Sequence, residues 1–407
     1  MVEHPNQHVL SGYKVLDFSQ YIAGPTVTRM MAEMGAEVIK VEMAPGGDQT
    51  RGMPYLKNNR SGYFIQQNLG KKSLCIDVKK EAGLRIIKEL IRRMDVVVEN
   101  FGPGTMQRRG LGYEVVKALN PKIVMCSIST FGQDGPLANQ PGWDFIGACY
   151  SGVIDMIGEP GKTPVFAGLA VGDASTGVHA LAAIACALLY RERTGVGQHL
   201  DVSLLDSYFG YHDTAIHAYS LSGGQYQHRR FGRQHPLYTP TGIFEGQQHP
   251  ICIMAPLDNQ WAALCQAMGQ PELAADPRFA TAPERVRNQA EAIRIVQDWL
   301  DRTPEDQALA AMEQHRVPAA PVLTAAEAMA HPHLRQRGTV RTVPDPIVGQ
   351  IDLPGLPLRF SAFPGPLPVQ APLLGEHNVE VLREHLGYSE QQVKELEAQG
   401  ILVSKPC

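Results

Sequence analysis

The sequence predicts an α/β protein: a Rossmann-like, doubly wound parallel sheet as a large domain, with a smaller α+β domain attached. Three observations predict it. Short apolar runs alternate with amphipathic helical stretches through the first 200 residues, the texture changes near Gly223, and prolines crowd the stretch from Pro344 to Pro372. Strands alternating with helices of this length form right-handed βαβ units.

Taken in order, Lys14–Phe18 (KVLDF) is a strand, Pro25–Gly35 a helix and Glu37–Glu42 (EVIKVE) a second strand. Ser73–Val78 gives a third strand. Ala82–Met94 follows as a helix whose Leu84, Ile87, Leu90 and Ile91 share one face. Asp95–Glu99, a helix near Val115–Leu119 and Lys122–Ile128 extend the pattern. A long helix is expected from Ser175 to Arg193, closed by Gly195 and Gly197, and then a strand at His199–Leu204. Beyond it, Gly242–Met254 alternates like a hairpin, and Gln260–Met268 and Ala290–Leu300 are helical. The proline-dense 344–372 stretch reads as an extended crossing segment, followed by helices at Asn378–Leu386 and Glu390–Gln399. The expected domains are residues 1–200 completed by 345–407, and 225–330, with 200–225 and 330–372 as links.

Composition narrows the function. A chain of 407 residues with 44% hydrophobic residues can bury a sizeable core in two or three domains. The net charge of -4 comes from mixed charges without a basic footprint, so nucleic acid is not an expected partner. Seven scattered cysteines with no C-x-x-C pair argue against disulfides and a zinc knuckle, and no metal is expected. Met1–Leu10 is polar and unlike a signal peptide, and the most apolar stretch, Val178–Leu189, falls short of a membrane span. A cytoplasmic location and no membrane association are therefore expected.

Two nucleotide motifs fail. The turn after Phe18 (SQYIAGP) lacks G-x-G-x-x-G although Glu42 ends the second strand, and Gly158–Thr163 (GEPGKT) has Met156 where a P-loop needs glycine. His212 and His217, five apart, share no helix face, and His179 reads as a packing residue in an apolar helix.

Ala170–Gly177 (AVGDASTG) is the sharper signal, an apolar run ending in glycine and aspartate before small residues that open a helix. The plain reading makes Asp173 an N-cap. The functional reading uses the same physics, since a helix N-terminus favours an ionised carboxylate. Such a carboxylate can attack a thioester and form an anhydride. Gly168, Gly172 and Gly177 would let a bulky thioester approach the backbone. Basic residues near the strand ends, Arg51, Arg60, Lys71, Lys72, Lys79, Arg108 and Arg109, suit a phosphate-bearing ligand, although lone ones are usually solvated.

Motifs along nearly the whole chain resemble the class III CoA-transferase family. They are KVLDFS…AGP (14–25), GAEVIKVE (35–42), VENFGPGTMQRRGLGY (98–113), GWDFIGACYSG (142–152), GLAVGDASTGVHALAAI (168–184), GVGQHLDVSLLD (195–206) and APLLGEHNVEVL (371–382). The resemblance implies Asp173 as nucleophile. It implies coenzyme A contacts at Ile22, Ala23, Ile76, Asp77, Val78, Lys79, Asn100, Phe101, Gly102 and Arg108. It also implies coenzyme A as a substrate rather than a resident cofactor, an acyl-CoA and a carboxylic acid as partners, and an interlocked homodimer.

Departures bear on substrate. Formyl-CoA transferases of this family carry an arginine where this chain has Met43, a lysine where it has Pro141, and a glycine-rich lid where it has Gly232–Pro240 (GRQHPLYTP). Oxalate and formate are thereby disfavoured. Arg233 and His235 become candidates to meet the acceptor carboxylate, and Arg229, Arg230 and Arg233 lean towards a short dicarboxylic acid or succinyl-CoA. A related α-methylacyl-CoA racemase would need a histidine where this chain has Trp143, which shuttles no proton. A coenzyme A-binding protein without turnover is the other alternative, against which Asp173 speaks.

Overall fold

The computed structural model describes residues 8–404, which divide into two compact units. The first holds the chain up to Val153, Ala167–Asp213 and everything from Arg335 on, and the second holds Ile154–Phe166 and Thr214–Leu334. Residues 154–166, inside the expected 1–200 domain, thus belong with the second unit. There Arg230 donates to the Lys162 carbonyl at 2.9 Å and pairs with Asp155.

Six strands form the central sheet of the first unit: β1 (Lys14–Asp17), β2 (Glu37–Met43), β3 (Lys71–Ile76), β4 (Val96–Glu99), β5 (Val124–Ser129) and β6 (Gln198–Ser203). Their order is β3-β2-β1-β4-β5-β6, with every neighbouring pair parallel. The central strands β4 and β5 are buried on both faces, which is why they read as near-continuous runs rather than alternating ones. Helices α1 (Ala23–Glu33), α2 (Glu81–Ile91), α3 (Tyr113–Leu119), α4 (Asp144–Tyr150), α5 (Val171–Thr194) and α6 (Leu204–Phe209) fill the crossovers and the layers around them. On one face Ile86, Ile87 and Leu90 of α2 pack with Val116 of α3. On the other, Val27 and Met31 of α1 pack with Ala180, Ile184 and Leu188 of α5.

At 24 residues α5 is longer than the apolar stretch from Val178 to Leu189, and it is long and apolar enough to cross a membrane. It nonetheless buries one face in this core.

The second unit is mixed α and β. Strands β7 (Thr241–Phe244), β8 (Ile251–Met254) and β9 (Ala319–Pro321) pair antiparallel, with β8 central. They pack with α7 (Asp258–Ala267), α8 (Gln289–Arg302) and α9 (Glu305–Gln314) through Phe244, Ile253, Trp261, Val296 and Met312.

The proline-dense stretch differs from the extended segment expected of it. Its start closes an antiparallel hairpin of β10 (Val340–Asp345) and β11 (Gly349–Pro354). Val343, Val348 and Leu353 of this region bury against Phe64, Ile65 and Leu69, which offsets the strain that proline puts on pairing. At the C-terminus α10 (Asn378–Leu386) and α11 (Glu390–Ala398) join the α2 side of the core through Val381, Leu382 and Val393. The Asp77 N–H then donates to Ile401 and that of Val403 to Cys75, at 2.8 and 3.1 Å, so the chain end covers the β3 edge.

Candidate active site

In a sheet of this order the connections reverse direction between β1 and β4, and a crevice opens beyond their carboxyl ends. Asn100, one residue past β4, bridges it. Its amide accepts from the Gln20 N–H at 2.8 Å and donates to the Gln20 carbonyl at 2.7 Å. A cavity of about 270 Å³ lies here, lined by Gln20, Tyr21, Ala23, Asn100–Gly102, Ile128–Thr130, Gly142, Trp143, Asp173 and Leu204.

Asp173 is half-buried in its wall. The helix α5 begins at Val171, four residues before the expected Ser175, so Asp173 is its third residue and caps nothing. The cap comes from another element. Asp144, the first residue of α4, accepts the Asp173 N–H at 2.8 Å and is itself held by the Tyr208 hydroxyl at 3.1 and 3.0 Å. A Cβ on Gly172 would overlap the Tyr208 ring and the Asp144 carboxylate, so only glycine lets these groups close on the helix end. Gly177 likewise faces Thr26 of α1. Both glycines are required by this packing.

The electrostatic consequence also corrects an expectation. With Asp144 on the helix terminus, Asp173 is not held in its ionised form. Burial first, and the neighbouring Asp144 charge second, raise its carboxyl to about 7. Burial likewise raises Asp144 itself. At neutral pH a large share of Asp173 is still ionised, and a carboxylate of that basicity is a better nucleophile than an ordinary one.

Tyr21 and Trp143 line the same cavity, and Tyr63 lies within electrostatic reach of Asp173. Burial, followed by the charge of Asp173 and then those of Asp48 and Tyr21, lifts the Tyr63 phenol to about 12. Tyr21 adopts a left-handed φ of 65°, which for a bulky residue costs on the order of 1–3 kcal/mol. Its hydroxyl donates to Gln49, and its ring meets Trp143 edge-on at 5.1 Å.

Of the residues expected in the site, Ala23, Asn100, Phe101, Gly102 and Asp173 meet at the cavity. Ile22 precedes them as the cap residue of α1. The Ile76–Lys79 stretch lies instead at the end of the edge strand β3, with Ile76 and Val78 turned into the core. Arg108 is exposed and donates to Thr105 at 2.9 Å. Arg233 and His235 belong to the second unit, where Arg233 pairs with Glu245. Asp144, Tyr208, Tyr21 and Tyr63 were not singled out from the sequence. Only the tripeptide Gly142-Trp143-Asp144 pointed near them.

Among the described residues one cluster has metal-like spacing, Glu37, Glu384 and His385. The Lys72 ammonium already sits against it, 2.7 Å from Glu37 and 3.3 Å from Glu384.

A doubly wound sheet with a cavity at its switch point is the arrangement in which α/β enzymes bind their ligands, and here that cavity carries a half-buried carboxyl. Residues 10–378 match the family model described as CoA-transferase family III, and the chain belongs to that family of CoA-transferases. It is 34% identical over 395 residues to the succinyl-CoA:glutarate CoA-transferase of Mus musculus, covering 97% of this chain and 90% of that protein. It is 33% identical over 413 residues to the formyl-CoA:oxalate CoA-transferase of Streptomyces avermitilis, covering 97% and 99%. The crystal structure of a CaiB/BaiF family protein from Brucella suis superposes with a TM-score of 0.83 at 34% identity, covering 93% of this chain and 100% of that one.

Proposed function

We propose that this CoA-transferase works through Asp173 as a covalent nucleophile. The observation that carries the reading is its basic carboxyl, half-buried in a cavity at the sheet's switch point. The carboxylate attacks the thioester carbon of an acyl-CoA, breaking the C–S bond to give an aspartyl-acyl anhydride and coenzyme A thiolate. The thiolate attacks the aspartyl carbon, releasing the donor acid and leaving an aspartyl-CoA thioester. The acceptor carboxylate attacks that carbon in turn and expels the thiolate. Attack of the thiolate on the acceptor's acyl carbon gives the new acyl-CoA and restores Asp173. Ala23 opens α1, so its N–H belongs to a first turn that intrahelical bonds leave unpaired, and it is suited to steady the oxyanions.

The acids exchanged are short dicarboxylic ones, with succinyl-CoA as donor. The relatives named for succinyl-CoA and glutarate support this. Of the three arginines that suggested it, Arg230 and Arg233 are paired with Asp155 and Glu245, so their support is smaller than the sequence implied. Trp143 in the cavity wall speaks against racemisation, because an indole relays no proton.

A homodimer is the working assembly. The outer face of α5 leaves Val178, Leu189 and Tyr190 about half exposed, at 49%, 54% and 49%, which suits burial against a second copy. A solution mass of one chain would remove this part.

The test of the chemistry is a panel of acyl-CoA donors and free acids with hydroxylamine trapping. The expected result is a hydroxamate on Asp173 and, in Asp173→Ala, a loss of exchange of about 10⁴-fold. Exchange that persists undiminished in Asp173→Ala overturns the mechanism.

A further inference from the structure

Tyr21 is the one aromatic residue of the cavity wall that also departs from ordinary backbone geometry. Three contacts hold it there. Asn100 grips the preceding Gln20 from both sides of its peptide, Gln49 accepts from the phenol, and Trp143 packs edge-on against the ring. Each holder is itself anchored. Asp48 accepts the Thr50 N–H at 2.9 Å and pairs with Lys40 at 2.8 Å, which fixes the turn carrying Gln49. Trp143 directly precedes Asp144, which holds the Asp173 N–H. Backbone strain kept by so many independent contacts points to a use for the side chain's position.

The position is next to the reacting group. The Tyr63 phenol feels both the Asp173 carboxylate and the Tyr21 phenol, so the three groups share one neighbourhood. The cavity, about 270 Å³, is small for a coenzyme A arm plus a large acyl group. Asn100–Gly102 line it together with Tyr21 and Trp143, whose rings meet edge-on. We propose that Tyr21 is the specificity-determining residue of this site, a fixed aromatic stop that limits the acyl group on Asp173 to short chains. This rests on the reading of Asp173 as nucleophile and adds to it the residue that selects acyl length. Tyr21 takes no part in bond making. It excludes longer acyl chains by occupying the space they need.

Glycine relieves the left-handed strain while removing the ring, so Tyr21→Gly keeps the backbone path and opens the stop. Tyr21→Asn, another residue that tolerates this conformation, is the second arm should the glycine variant fold poorly. The measurement is kcat/KM for adipyl-CoA relative to succinyl-CoA with one acceptor, in wild type, both variants and Tyr21→Phe. Opening the stop is expected to raise the ratio at least about fivefold, chiefly through a lower KM for adipyl-CoA, as expected for two methylenes given room. Tyr21→Phe keeps the ring and leaves the ratio within about twofold. A smaller rise in whichever of the glycine and asparagine variants folds overturns the inference. Asp173→Ala run alongside separates the two failures: retained exchange there overturns the nucleophile, whereas an unmoved ratio with Asp173 essential overturns only the role of Tyr21.

Discussion

Two groups of carboxylates sit near the carboxyl ends of the same sheet in contrasting electrostatic settings. Around β1 to β3 every buried acid has a cation. Asp17 meets Lys71 at 2.9 Å, Asp48 meets Lys40 at 2.8 Å, and Glu42 takes the Arg51 guanidinium at 2.6 and 2.7 Å. Burial alone would raise all three, yet these cations and the surrounding hydroxyls hold each carboxyl below its usual range. In the crevice Asp173 and Asp144 have each other instead, and among the described residues no cation pairs with either. Both are raised. The difference is one of setting: at Asp17, Glu42 and Asp48 cations keep a buried carboxyl ionised, whereas in the crevice burial without a cation raises it.

The comparison breaks most sharply at the proposed nucleophile, where Asp173→Ala should cost about 10⁴-fold in exchange while the fold survives. On the paired side the largest effect should be on folding. Lys40 also donates to the Ser19 carbonyl at 2.8 Å and lies wholly buried. Lys40→Met leaves Asp48 without its partner, which for a broken buried pair costs about 3–5 kcal/mol. Denaturant melts should show that loss, and Lys40→Met combined with Asp48→Asn should recover much of it. A single variant as stable as wild type would mean that the pairs are not the scaffold.

Asp173→Asn should move stability in the opposite direction. The Asp173 carboxyl is raised from 3.8 to about 7, so the folded state holds a proton that the unfolded chain releases. Stability from this group is therefore full below pH 4 and declines as pH rises towards 7. Asparagine removes the decline. Thermal melts at pH 8 should show a gain of about 1–3 kcal/mol that fades to nothing near pH 4, with activity lost throughout. A variant that is less stable at pH 8 would deny that the carboxylate is uncompensated.

How much of this was legible in the sequence follows the range of the interactions. The strands of the sheet were readable because β4 and β5 are buried throughout and mostly apolar, and Asp173 because glycine and small residues surround it. The start of α5 was not. Its cap is Asp144, 29 positions away, and nothing local to Asp173 announces it. Tyr21 was unreadable for the same reason, since the Asn100 that holds its turn lies 80 positions from Gln20. The prolines of 344–372 suggested an extended strand-free path, but Phe64 and Leu69 offered a surface on which a hairpin could bury Val343 and Leu353. Local propensity marks the elements, and contacts distant in sequence set the chemistry of the site.

The smallest effect tests the like-charge pair itself. Asp144→Asn keeps an oxygen to accept the Asp173 N–H and the Tyr208 hydroxyl, so the helix end stays capped, but it removes the charge that helps to raise Asp173. Exchange through the proposed nucleophile needs it ionised, so the wild-type rate should rise with pH through a midpoint near 7 and then level. In the variant that midpoint should move to lower pH by up to about one unit, because burial, the larger cause, is untouched. The plateau rate should fall at the same time, since a less basic carboxylate attacks a thioester more slowly. A midpoint that stays in place while the plateau falls would reduce Asp144 to a cap, and the basicity of Asp173 would then belong to burial alone.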